Sequence, residues 1–306
     1  MHEVVELFRS ADGLASEGAR ARLTALAPTL TLAGPAGPVA EHLVDGVDGT
    51  WLAREGFAAL HQAASVELCG RMVDGIERLV VAGLPAMFLY LFDEPWALGL
   101  RIATGVSAML GRSYELLDDA WAWRIEPSTG KGWPPHRGIS EPILEREVPE
   151  LLNVWVALSD AGVERSCMHF VPLDDDPSYP KDLADLRAPL EVVRAAPLMA
   201  GSALVWNANI LHWGGPCSAR AAGPRVSCAF SLGRGDAVER MGFRAGGRAS
   251  TDLRARVDSV ALQVDVYGAG QPDVSAEVLE WARATRALEI QISRLSHAAD
   301  QQRKAP

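Results

Sequence analysis

An α+β fold is predicted by three features of the sequence. Apolar residues recur every three to four positions through the front third, the period drops to two near residue 120, and helical spacing returns after residue 273. From Leu52 to Leu84, the residues Phe57, Leu60, Ala64, Leu68, Met72, Ile76 and Leu79 fall on one helical face, so this stretch is expected to be a helix burying that face. Pro95 suits a first helical turn, Leu98, Ile102, Val106 and Met109 continue the spacing, and Gly111 is a natural stop. The segments Ala120–Ile125, Leu152–Leu158, Cys167–Pro172, Ser202–Asn207 and Arg225–Leu232 are short, β-branched or aromatic, and separated by Gly, Pro and Asp. They read as strands. After Asp273, expected as a helix cap, Val278, Trp281, Leu288, Ile292 and Leu295 mark a last amphipathic helix. The expected organisation is an N-terminal extension over 1–50 and a single domain over 51–306. That domain would be helical over 51–112, with a β core over about 118–235 and a terminal helix over about 273–298.

Composition narrows the function classes. A chain of 306 residues, 48% hydrophobic and 22% charged, is long enough to bury roughly three quarters of its unfolded surface. Its net charge of −10, from 39 acidic against 29 basic residues, disfavours nucleic-acid partners, which are held by clustered Lys and Arg. The same charge disfavours an acidic carrier protein as partner, because like-signed surfaces repel beyond contact range. Cys69, Cys167, Cys217 and Cys228 form no C-x-x-C pair, so neither a zinc knuckle nor a disulfide framework is expected. The uncharged stretch Leu23 to Ala40 contains Pro28, Gly34, Pro35, Gly37 and Pro38 and reads as loop, not as a membrane span. Glu3, Glu6 and Arg9 interrupt the first ten residues, so no signal peptide is expected and the cytoplasm is the expected location. The run Asp174 to Asp176 lacks the alternating ligands and glycine of a calcium loop and reads as a solvated loop.

Two of the seven histidines stand out by context. His136 lies in the Gly/Pro-rich stretch Gly132-Trp133-Pro134-Pro135-His136-Arg137-Gly138. His212 follows the apolar strand Ala203-Leu204-Val205-Trp206 and precedes Gly214-Gly215. Imidazoles from two separated strands can converge on Fe, Cu, Ni or Zn, although residue type alone favours packed or surface histidines.

These segments, in this order, resemble the phytanoyl-CoA dioxygenase family of Fe(II)/2-oxoglutarate oxygenases. The resemblance runs from Trp121-Ala122-Trp123-Arg124-Ile125 through the His136 stretch, Leu152 to Asp160, Cys167 to Pro172 and Leu211-His212 to Arg225-Val226-Ser227, covering about residues 86–235. It implies a double-stranded β-helix, a cupin-like jelly roll with flanking helices, and Fe(II), 2-oxoglutarate and O2 as cofactors. It further implies His136 and His212 as iron ligands, and Arg225 pairing with the far carboxylate of 2-oxoglutarate with Ser227 beside it. Trp123, Trp133 and His169 are candidate substrate contacts, and Arg124, Glu126 and Lys131 candidate polar contacts near them.

One position departs from the family pattern. A His-x-Asp or His-x-Glu motif normally supplies the third iron ligand, and here position 138 is glycine. Residues two apart on a strand share a face, so Gly138 stands where the carboxylate would reach the metal. The same replacement marks the 2-oxoglutarate halogenases, in which chloride or bromide fills the vacant position. The resemblance thus implies radical chlorination of an unactivated C–H bond of a free metabolite, with 2-oxoglutarate decarboxylated to succinate. The alternatives are a hydroxylase using Glu141 as replacement ligand, a relative that binds without catalysis, and a ligand-binding jelly roll with no redox chemistry.

Overall fold

The computed structural model describes residues 17–32, 48–128, 130–187, 189–238 and 252–288. Helix α1 (Glu17–Leu26) and the short α2 (Gly49–Glu55) precede strand β1 (Phe57–Leu60). Helix α3 (Val66–Val81), a 3-10 turn (Ala86–Leu91) and α4 (Asp93–Leu110) follow. The β core comprises β2 (Tyr114–Ile125), β3 (Trp133–His136), β4 (Leu151–Ala157), β5 (Met168–Val171), β6 (Arg194–Ala196), β7 (Ala203–Asn207), β8 (Leu211–Gly214) and β9 (Arg225–Arg234). Helix α5 (Leu253–Tyr267) comes next, and α6 covers 276–288.

The strands form two antiparallel sheets, one of order β1-β7-β4-β9-β2 and one of order β3-β8-β5-β6. Between them lies an apolar layer in which Trp155, Leu204 and Trp206 of the first sheet meet Met168 and Phe170 of the second. Phe57 stacks on Phe170 at 4.4 Å and joins the sheets at their edge. The fold is the expected double-stranded β-helix with flanking helices.

Alternation along each central strand serves two cores. On β4, Leu152, Val154 and Val156 face a helical layer of α1, α3, α4, α5 and α6, while Trp155 faces the barrel interior. With both faces covered, β4 and β7 read as nearly continuous apolar runs, while β9 alternates Arg225, Ser227 and Ser231 with Val226, Cys228, Phe230 and Leu232.

Four expectations need correction. Phe57 and Leu60 belong to a strand, not to the expected helix over Leu52–Leu84. Gly56, at φ +80, ends α2 in a left-handed conformation, and the Ser65 side chain accepts from Leu68 N to start α3 afresh. Asp273 does not cap the last helix. Its carboxylate accepts from Ala86 N at 3.0 Å, while Ser275 accepts from Val278 N in the capping role. The Asp174 to Asp176 run is only partly solvated, because Asp176 is buried against Arg137 at 2.6 Å. The end of the last expected helix, 289–298, and most of the expected extension lie outside the described residues. The described part of that extension packs Ala19, Leu23 and Leu30 into the main core, with Leu23 and Leu26 inside α1 rather than in a loop.

Candidate active site

His136 and His212 are direct cross-strand partners on β3 and β8. Their ring centroids lie 4.1 Å apart. Each Nδ1 lies within hydrogen-bond distance of the carbonyl two residues back, His136 to Pro134 O at 2.9 Å and His212 to Ile210 O at 3.0 Å. As donors there, the Nδ1 atoms fix the tautomer and leave both Nε2 lone pairs for a metal. Burial pushes both pKa values below the ordinary histidine range. His212 falls furthest, through burial first and the adjacent His136 second. Neutral imidazole, the form that ligates metal, is therefore the resting state.

A cavity of about 220 Å³ opens beside this pair. One wall is the five-stranded sheet, whose inward residues stand in register: Asn153 opposite Ser231 and Trp155 opposite Ala229 on β4 and β9, and Trp121 opposite Ala229 and Trp123 opposite Ser227 on β2 and β9. His136, His212, Gly214 and Met168 come from the other sheet. Trp123, Trp133 and Tyr267 also border an outer cavity of about 840 Å³.

Arg225 lies at one end of the cavity, 2% exposed, and no carboxylate pairs with it among the described residues. Its guanidinium donates to Ser227 Oγ and, at 3.4 Å, to Ser166 Oγ, and it lies 5.2 Å from the Trp155 ring centroid and 5.9 Å from that of Trp123. Its Nε has no partner. Burial pushes its pKa down to about 9, so the group stays charged at neutral pH. A buried, charged and incompletely bonded guanidinium facing a cavity fits a carboxylate ligand.

Gly138 donates its N–H to Ala208 O at 2.7 Å, which extends the β3 path past His136. A Cβ at this position would stand 3.0 Å from Asn153 Oδ1 and 3.1 Å from Ala208 O, so a side chain there fits only if the Asn153 amide gives by a few tenths of an ångström. That Oδ1 is buried and has no partner. Among the described residues no third His, Cys, Asp or Glu joins the two histidines in a metal-holding group. Glu141 is exposed, with its side chain on Ser140 Oγ at 3.4 Å. Arg137, between His136 and Gly138, turns into the opposite wall, where Asp176 and the Asn209 and Asp185 carbonyls hold it.

Of the remaining sequence candidates, Trp123 and Trp133 line the cavity, and Ser227 supports Arg225. His169 does not reach the cavity. Alternation on β5 turns Met168 inward and His169 outward, where it stacks on Trp213 at 5.5 Å. Arg124 is taken up by Glu77 and Glu126 at the rim of the outer cavity. Sequence reasoning missed Asp119, Asn153, Ser231, Gln263 and Tyr267, all of which line the inner cavity. Inward alternation on β4 and β9 was the available signal for Asn153 and Ser231. A register shift between Leu116 and Ala120 hid Asp119.

Fold and site together define a jelly roll with a two-histidine centre and a buried arginine at the far end of its cavity. The family model for phytanoyl-CoA dioxygenase (PhyH) matches residues 120–222, about a third of the chain. Solved structures similar to it include the non-heme alpha ketoglutarate dependent epimerase SnoN from nogalamycin biosynthesis, at 20% identity over 61% of this chain and 79% of that one, with a TM-score of 0.44. The alpha ketoglutarate dependent carbocyclase SnoK is similar at 19% identity over 65% and 87%, with a TM-score of 0.48. EvdO2 from Micromonospora carbonacea var. aurantiaca is similar at 22% identity over 64% and 94%, with a TM-score of 0.47. No curated protein matches. Among the described residues no helix is long and apolar enough to cross a membrane.

Proposed function

We propose that this chain is an Fe(II)/2-oxoglutarate-dependent halogenase acting on a free small molecule. The observation that carries the reading is the combination of Gly138 beside His136 with no acidic side chain joining the His136–His212 pair. The residues fit the cofactors. Two neutral imidazoles with their Nε2 atoms free suit Fe(II), and Arg225, lacking a carboxylate partner, suits the distal carboxylate of 2-oxoglutarate. When bound, iron with 2-oxoglutarate and O2 supplies the oxidising power, so that R–H, chloride and a proton become R–Cl and water while 2-oxoglutarate becomes succinate and CO2.

The protein's own part is selection and placement. Ser227 and Ser166 orient the Arg225 fork, and the Trp123 and Trp155 faces keep water from it. The Arg137–Asp176 pair fixes the backbone between His136 and Gly138, so the ligand strand cannot drift. Asn153 borders the position left open by Gly138. Its Nδ2 donates to Ser231 Oγ at 3.2 Å, which holds the amide at the edge of that position. Glu141 is exposed and outside this arrangement, which disfavours the hydroxylase alternative.

The test is anaerobic titration of Fe(II) and 2-oxoglutarate with and without chloride, followed by turnover and mass spectrometry. The visible charge-transfer band of chelated 2-oxoglutarate should form, and should disappear in His136→Ala and His212→Ala. Gly138→Asp should end chlorination. Chlorinated product from Gly138→Asp at the wild-type rate, or a band that survives both histidine variants, refutes the assignment.

A further inference from the structure

The end of the cavity opposite Arg225 has its own chemistry. On β9 the inward residues Arg225, Ser227, Ala229 and Ser231 succeed one another, so Arg225 and Ser231 stand roughly 20 Å apart at about 3.3 Å per residue. Ser231 Oγ donates to Asp119 Oδ2 at 2.6 Å. The register shift on β2 turns this carboxylate into the cavity. Asp119 has no cationic partner among the described residues, and desolvation raises its pKa against the help of Ser231 and Gln263. Gln263, on α5, is 5% exposed, donates Nε2 to Asp118 O at 3.2 Å, and leaves Oε1 buried without a partner on the same cavity wall.

Aromatic rings line the same cavity as these oxygens. Tyr267 meets Trp121 edge-on at 6.1 Å and Trp133 at 6.5 Å, and all three line the cavity. A carboxylate without a counter-ion, an unpartnered amide oxygen and ring faces are all electron-rich. An anionic or purely apolar occupant would leave Asp119 uncompensated, whereas an ammonium group would meet acceptors and π faces at once. The other charged groups lining the cavity are accounted for, since Arg137 is paired with Asp176 and Arg225 suits 2-oxoglutarate.

We propose that Asp119, Gln263 and the Trp121–Trp133–Tyr267 rings form the recognition site for a protonated amine, which makes the substrate class of this enzyme cationic amines. The assignment rests on the reading above that the His136–His212 pair is the reaction centre, and extends it to what is presented there.

The test uses full-length protein, both metal-free and loaded anaerobically with Fe(II), 2-oxoglutarate and chloride. Tryptophan fluorescence and calorimetry would follow binding of hexylammonium, phenethylammonium and tryptammonium beside their neutral hydroxyl isosteres and hexanoate. At least one amine should bind ten-fold or more tightly than its alcohol, with hexanoate weakest, and Asp119→Asn should reduce that preference by about 10- to 100-fold. Tyr267→Leu should weaken the amine by several-fold more than the alcohol. If no amine outbinds its isostere, or if a folded Asp119→Asn keeps the preference, the assignment is wrong. The wild-type comparison decides the matter even where a variant fails to fold. The charge-transfer band is recorded on the same samples. Amine preference without the band overturns the iron assignment alone, and the band without amine preference overturns this one alone.

Discussion

Replacing Arg225 by Met should stabilise the ligand-free protein while removing its response to 2-oxoglutarate. Burial lowers the guanidinium pKa from its ordinary range to about 9, which corresponds to a penalty on the charged form of about 5 kcal/mol. The contacts with the Trp123 and Trp155 faces return up to about 2 kcal/mol each. Roughly 1–3 kcal/mol of cost then remains in the absence of a carboxylate, within the range seen when buried ionic groups give way to apolar ones of similar size. Urea denaturation at pH 7.5 should therefore show Arg225→Met more stable by about that amount. Saturating 2-oxoglutarate at 100-fold its Kd should add about 2.7 kcal/mol to wild type and nothing to the variant. The pH dependence has a definite sign. The folded-state pKa lies below the unfolded one, so above about pH 9 the unfolded chain holds the extra proton. The cost is thus fully present below pH 9 and relieved above it, and the advantage of Arg225→Met should shrink as pH rises past 9. A variant that is less stable by several kcal/mol and still responds to 2-oxoglutarate would refute both the burial cost and the anchor role.

Two other substitutions probe the rest of the site. Asp176→Ala leaves the buried Arg137 guanidinium with carbonyls alone, and should cost about 3–5 kcal/mol in chemical denaturation and weaken Mn(II) binding by loosening the His136 strand. A loss under 1 kcal/mol would show that the pair carries little. His169→Ala should leave Mn(II) and 2-oxoglutarate affinities within about two-fold of wild type by calorimetry, because the ring faces Trp213 on the outer side of β5. A ten-fold loss would return it to the site.

What the sequence made legible follows physical lines. Strands β4 and β7 were readable because burial on both faces makes them apolar throughout, and β9 because its polar and apolar residues alternate from Arg225 onward, whereas His136 at the end of β3, Gly138 just past it and His212 on β8 were marked by the Gly- and Pro-rich or apolar context around them. Strand β1 was hidden because Phe57 and Leu60 also satisfy helical spacing, and only the left-handed Gly56 separates the two readings. Helix α5 went unread for a different reason. Its buried side includes Arg256, Ser259 and Gln263 among the valines, with Arg256 bonded to Asp93 and to Leu91 O. Paired polar groups on the packed face break the apolar stripe by which a helix is recognised. Because α5 supplies Gln263 and Tyr267, the unread helix is also the one that completes the end of the cavity proposed to hold the amine.

The two buried charges of the cavity do not settle each other. Arg225 and Asp119 lie at the ends of a stretch of β9 roughly 20 Å long, and at that separation, with an effective dielectric constant of about 20, their attraction is only about 0.8 kcal/mol. That is small beside the penalty of about 5 kcal/mol on Arg225 alone. Each charge is therefore compensated locally, by a ligand of opposite sign, or not at all. An anionic cosubstrate at one end and a cationic substrate at the other would meet near His136 and His212, and each would make the cavity more favourable for the other. Calorimetry should find the amine bound more tightly once 2-oxoglutarate is in place, and by reciprocity 2-oxoglutarate bound more tightly by the same factor in the presence of the amine. Independent binding would mean that the two ends are screened from one another by water, and the shared cavity would then be a shape without electrostatic coupling.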